Sequence, residues 1–165
     1  MDLGRRRPGA GHQRSARGSA AVEFALVTPV LLTILFGILQ YGLYFNDSLT
    51  ANEAVRAATR SAVVEKAPPS CTGTFGWSVV RCATSDALNR SDAAIRISAP
   101  NGWAEGNALT VCVQFPSRGG FGFVPLPDHG MVHAKLQMSI EETSLVPSGT
   151  GLSDAAPSGQ DWSWC

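Results

Sequence analysis

No charged side chain occurs between Phe24 and Asn46, a gap of 23 positions in a chain of 165 residues. That absence excludes an ordinary surface helix, which would carry a polar face. At about 1.5 Å of rise per residue the gap would extend roughly 34 Å as a helix, enough to cross a hydrocarbon core about 30 Å thick. A soluble domain built from the residues left over could hardly bury such a helix on every side. A cleaved secretory signal has a shorter apolar core and a small-residue cleavage site, and the flank "LQYGLYFND" offers no A-x-A pattern. Nor does an apolar segment follow "RRRPG" at once, as twin-arginine export would need. The reading is one membrane span, assigned to residues 19–46, with Tyr41, Tyr44 and Phe45 at its far end where interfacial aromatics belong.

Acidic residues are nearly missing from the start of the chain. Residues 1–18 hold Arg5, Arg6, Arg7, Arg14 and Arg17 against Asp2 alone, whereas residues 19–165 hold eight basic and twelve acidic side chains. Basic residues flanking a span mark its cytoplasmic side, so 1–18 is expected to be a cytoplasmic leader and residues 47–165 extracytoplasmic. Topology and anionic headgroups account for these arginines without nucleic acid, which is not expected as a partner. Cysteine is absent before Cys71; all four cysteines, Cys71, Cys82, Cys112 and Cys165, fall on the outer side. An even number in a small extracytoplasmic domain points to two disulfides, and three connectivities are open. A local Cys71–Cys82 loop with Cys112–Cys165 pinning the tail is the pairing expected.

Recognisable catalytic and metal-binding groupings are missing too. The outer region has no G-x-S-x-G, H-E-x-x-H or P-loop, so no nucleophile, base and oxyanion donor stand at a known spacing, and no enzymatic activity or cofactor is expected. No CxxC is present, and His129 and His133 lie in a loop-to-strand region where a spacing of four does not bring them to one face, so no metal is expected. Glu141 and Glu142 are adjacent at a strand end and would point to opposite faces.

What is present is a long helical pattern followed by strand patterns. "NDSLTANEAVRAATRSAVVEKA" carries Leu49, Ala54, Val55, Ala58, Ala62 and Val63 at spacings of three and four, the stripe of an amphipathic helix extension over 47–67 that Pro68 and Pro69 end. Pro29 inside the span is expected to kink it. An outer α+β domain is assigned to 68–143. "FGWSVVRC" (75–82) and "AAIRISAP" (93–100) read as strands around a short helical "SDALNRSD". "ALTVCVQF" (108–115) and "VHAKLQMSIE" (132–141) alternate apolar and polar residues with period two. The result is a small antiparallel sheet covered on one face by the long helix. Between the last two strands, "PSRGGFGFVPLPDHG" is a Gly/Pro loop expected to fold its aromatics back. Residues 144–165 read as a flexible tail.

One residue breaks the apolar pattern at its start. Glu23 stands five places after Gly18, where a carboxylate costs several kcal/mol unless a partner offsets it or the side chain snorkels to the headgroups. The string "RGSAAVEFALVTPVLLTILFGILQYGLYFNDSLTANEAVRAATRSAV" resembles the TadE-like family, pseudopilins of the tight adherence (Tad/Flp) pilus systems. The shared features are the R-G-x-A-x-V-E-F-A-L start, the mid-span proline, a G-x-x-x-x-G-like stretch and an A-x-R-x-A-A-R continuation. The resemblance covers about residues 17–64. It implies a type IV pilin-like signal in which a prepilin peptidase cuts after Gly18, Ser19 becomes the new N-terminus, Glu23 the fifth residue and Phe24 the aromatic beside it. The implied function is that of a minor pilin or pseudopilin in pilus assembly or secretion. Its implied partners are the peptidase, other pilin-like subunits, the assembly platform and membrane lipid. Gly37 and Gly42, with Ala21 and Ala25, would allow close helix approach. The competing reading is a bitopic binding module whose 117–130 loop engages a surface or partner protein.

Overall fold

The computed structural model describes residues 12–120, 122 and 124–165, with side chains from Gly18 onward. The leader through residue 11, the side chains of Arg14 and Arg17, and Phe121 and Phe123 of the Gly/Pro loop lie outside the described residues. Helix α1 runs His12–Val63 with Pro29 inside it. The chain divides into two compact units, Met1–Leu39 and Gln40–Cys165.

The described part of the first unit is helix alone. Its apolar side chains point outward: Val22, Phe24, Leu26, Val27 and Val30 are each more than 60% exposed. Thr28 and Thr33 donate their hydroxyls to the carbonyls of Phe24 and Pro29, at 2.6 and 2.8 Å. Those bonds satisfy polar atoms that an apolar surrounding would otherwise leave bare. Among the described residues one helix is long and apolar enough to cross a membrane, with a mean hydropathy of 2.3 over its most apolar stretch and none of that stretch buried within the chain.

The second unit adds α2 (Trp77–Leu88), β1 (Ala94–Ser98), β2 (Ala108–Pro116), a short 3-10 turn (Pro127–Gly130), β3 (Met131–Ser139) and β4 (Gly151–Ser153) to the outer turns of α1. The strands form one sheet in the order β3-β2-β1-β4, every neighbour antiparallel. Register aligns the alternate residues: Ile95 faces Val113, Ile97 faces Val111, and Val113 in turn faces Ala134. This puts Ile95, Ile97, Leu109, Val111, Val113 and Phe115 on one face, where they join Ala51, Ala54, Val55, Ala62 and Val63 of α1 in a single core. The α+β architecture and the long helix covering the sheet are therefore as the periodicities require. Within the stripe Ala54, Val55, Ala58, Ala62 and Val63 are buried as expected, but Leu49 is 65% exposed and Ala51 takes its place in the buried row.

Three expectations are corrected. The segment 75–82 is not a strand: it opens α2, which also takes in most of "SDALN". Trp77, Val80, Thr84 and Leu88 recur at spacings of three and four and are all buried, so the helical period prevails over the short apolar run. Helix α1 stops before Pro68. Glu65 adopts φ 50°, and the amides of Glu65 and Lys66 donate to the carbonyls of Ala62 and Ser61 at 3.0 and 2.9 Å. That pair of bonds is a Schellman cap. Residues 144–165 are not a featureless tail. Gly151–Ser153 pairs with β1, and Cys165 is bonded to Cys112 of the central strand. Gly151 has φ 151°, and a Cβ there would run into the Ile97 carbonyl, so only glycine lets β4 approach.

The tail covers the second sheet face. Trp164 lies 4.6 Å from the His133 ring and its indole N–H donates to Gln114 Oε1 at 3.4 Å. Arg96 donates to the Trp162 carbonyl at 3.4 Å and Lys135 to the Cys165 carbonyl at 2.5 Å. Covered on both sides, β2 is buried from Val111 to Phe115, although its sequence alternates. The other disulfide, Cys71–Cys82, ties the segment before α2 to its second turn.

Candidate functional site

Gly18, Ser19, Glu23 and Phe24 lie in one stretch of α1. The helical turn carries Ser19 under Glu23, and the serine hydroxyl donates to Glu23 Oε1 at 3.3 Å. A spacing of four makes such neighbours. Phe24 is 71% exposed, and nothing lies within 4 Å of the position a Cβ would take at Gly18. The carboxylate and the residue-19 backbone thus share an open helix surface.

A second arrangement, wholly within the second unit, fastens the 117–130 loop to the first turns that follow Leu39. Gln40 is 2% exposed and pairs with the Val124 backbone in both directions. It accepts from the Val124 amide at 3.0 Å and donates to the Val124 carbonyl at 2.7 Å. Tyr41 donates its hydroxyl to the Pro125 carbonyl at 2.9 Å. On the other limb of the loop, Gly119 sits so close to α1 that a Cβ would fall 2.6 Å from the Gln40 carbonyl oxygen. Here glycine is required by proximity, not by its torsion angles.

Asp47 holds the base of the same loop. Its side chain is 5% exposed, and Oδ2 accepts the Arg118 backbone amide at 2.7 Å. Arg90 Nη1 stands 3.7 Å from that carboxylate and the Arg118 guanidinium 3.9 Å. Arg90 grips Asp92 with two bonds of 2.8 and 2.6 Å and donates to the Pro116 carbonyl at 3.0 Å. It also lies 4.4 Å over the Phe115 ring. The hydrogen bond to Asp92 raises the Arg90 pKa, with burial opposing and the charges of Asp92 and Asp47 adding. The same bond holds Asp92 below the usual carboxylate range. The buried Asp47 is therefore matched by guanidinium charge and a backbone donor, as an enclosed carboxylate requires.

Neither Gln40 nor Asp47 belongs to a periodic pattern or motif of the sequence. A signal existed: Gln40 is the one amide side chain between Phe24 and Phe45, and Asp47 is the first charge after the apolar run. A polar residue in such places needs a partner, but the partner's position 71 to 84 residues away is not readable from spacing.

No curated protein and no solved structure matches the chain. Residues 18–60, nearly all of α1 from Gly18 onward, match the family model described as TadE-like protein.

Proposed function

We propose that the protein is a minor pilin or pseudopilin of a Tad/Flp-type pilus system, anchored in the membrane by α1 with its N-terminus cytoplasmic and residues 47–165 outside. The carrying observation is Ser19 lying against Glu23 on an exposed apolar helix surface within the TadE-like segment. Cleavage after Gly18 by a prepilin peptidase would convert the Ser19 amide into an α-ammonium beside that carboxylate. Glycine lowers the resistance of the helix to opening at the cut by about 1 kcal/mol relative to alanine. In the assembled state the Glu23 carboxylate takes the α-ammonium of a neighbouring subunit, and the charge pair sets axial register as apolar helices pack. Two disulfides in the outer unit support an oxidising, extracytoplasmic location. In this reading the chain does no catalysis; its partners are the peptidase, other pilin-like subunits and the assembly platform.

The test is the N-terminus of the membrane-extracted protein from cells that contain the peptidase. A mature chain beginning at Ser19 is expected; retention of Met1–Gly18 sinks the proposal. Glu23→Ala is expected to insert normally and abolish pilus output. Wild-type output from that variant would show instead that Glu23 merely snorkels.

A further inference from the structure

The loop clasp locates the bilayer surface. Ser19–Leu39 is 21 residues, or about 31 Å of helix, which already spans a hydrocarbon core of about 30 Å. Gln40 and Tyr41 follow at once, and both are hydrogen-bonded to the backbone of Val124 and Pro125. Irregular backbone exposed to lipid does not occur within the hydrocarbon, and Gly120 and Gly122 of this loop are exposed. The loop therefore lies outside the core, yet it is fastened within the first turn past its edge, in a headgroup layer only about 5–8 Å deep.

The side chains presented there suit that layer. Phe45 is 60% exposed, with its ring 6.0 Å from Tyr44 and 6.4 Å from Tyr41. Such a cluster is unfavourable in water and favourable among headgroups. Arg118 is 62% exposed while its neighbour Asp47 is 5% exposed; the half-exposed Asp92 is already held by Arg90 through two hydrogen bonds, so the Arg118 guanidinium is left facing outward at the base of the loop, where it fits phosphate.

We propose that the helix turn 41–45 and the described parts of the loop, 118–120 and 124–126, form a lipid-contact surface that seats the outer domain in the headgroup layer. The span then ends at Leu39, not at Asn46. This rests on the membrane-anchored reading above, though not on cleavage or on pilus assembly.

The experiment uses the full chain in nanodiscs of phosphatidylethanolamine and phosphatidylglycerol, without other pilus proteins. All four native cysteines are paired, so single nitroxide labels are placed by Leu35→Cys, Phe45→Cys, Pro125→Cys and Asn52→Cys. Accessibility to a water-soluble nickel complex is compared with accessibility to oxygen. The expected result is hydrocarbon depth at position 35, bulk water at 52, and nickel accessibility at 45 and 125 at least about threefold below that at 52. Position 45 is on α1 and does not depend on the loop tolerating a label. Hydrocarbon at 35 with labels at 45 and 125 as open as at 52 overturns the proposal alone. Water at 35 overturns the membrane anchor and the proposal with it. Shielding of 45 and 125 only after other pilin-like subunits are added overturns it in favour of a protein contact.

Discussion

Replacing Asp47 with alanine tests whether the buried carboxylate holds the second unit together. The variant loses a charge-assisted bond from the Arg118 amide at 2.7 Å, a class of interaction that contributes about 1.5–3 kcal/mol. Removing one member of a fully buried ion pair costs about 3–5 kcal/mol. That ceiling is not reached here, because Arg90 keeps Asp92 at 2.6 Å and the Pro116 carbonyl at 3.0 Å, and Arg118 is 62% exposed. The expected loss is therefore about 2–3 kcal/mol. Asp47→Asn retains an oxygen acceptor but not the charge, and should lose about half as much. The four tryptophans, Trp77, Trp103, Trp162 and Trp164, all lie in the second unit. Guanidinium unfolding of the full chain in micelles, followed by their fluorescence, reads the domain that matters. Tryptic cleavage after Arg118 should accelerate in parallel, since its amide is released. Asp47→Ala within about 0.5 kcal/mol of the parent, the range of an ordinary surface substitution, would refute the reasoning.

Gly119→Ala places a methyl 2.6 Å from the Gln40 carbonyl oxygen and 3.3 Å from the Leu43 Cβ. It should destabilise by about 1–3 kcal/mol, with the same increase in tryptic cleavage after Arg118. Cys165→Ser opens the covalent link to Cys112, 53 residues away in sequence. By loop-closure entropy this costs up to about 4 kcal/mol, and the emission of Trp162 and Trp164 should shift to the red as the tail leaves the sheet. Asp92 is held below its ordinary pKa by the Arg90 hydrogen bond. Its contribution is thus present in full above about pH 4 and is lost as the pH falls through the lowered value. Asp92→Asn should flatten the dependence of stability on pH in that acidic range, as read by unfolding midpoints.

The strands β2 and β3 were legible because alternation over nine residues has a period that no helix shares. The register is legible in the same way: a slip of one residue would turn Val111, Val113 and Phe115 away from α1. By contrast, "FGWSVVRC" is too short for period to decide between strand and helix. Its fate depends on the helical turns that follow it and on the core that receives Trp77 and Val80. Strand β4 has three residues and no pattern of its own. It exists because β1 offers an open edge and Gly151 permits the approach.

By itself, the sequence determined the apolar helix, its TadE-like segment, the position of Glu23 beside Ser19, and the antiparallel sheet. Each is a matter of composition or of period along a few turns, where chain neighbours are also neighbours in space. Only the tertiary structure decided that Gln40 would be sealed by Val124, that Asp47 would sit between Arg118 and Arg90, and that the C-terminal residues would close over the second face of the sheet. Those contacts join positions dozens of residues apart. Buried polar groups require partners, but which partner reaches them is set by how the helix, sheet and loop pack together.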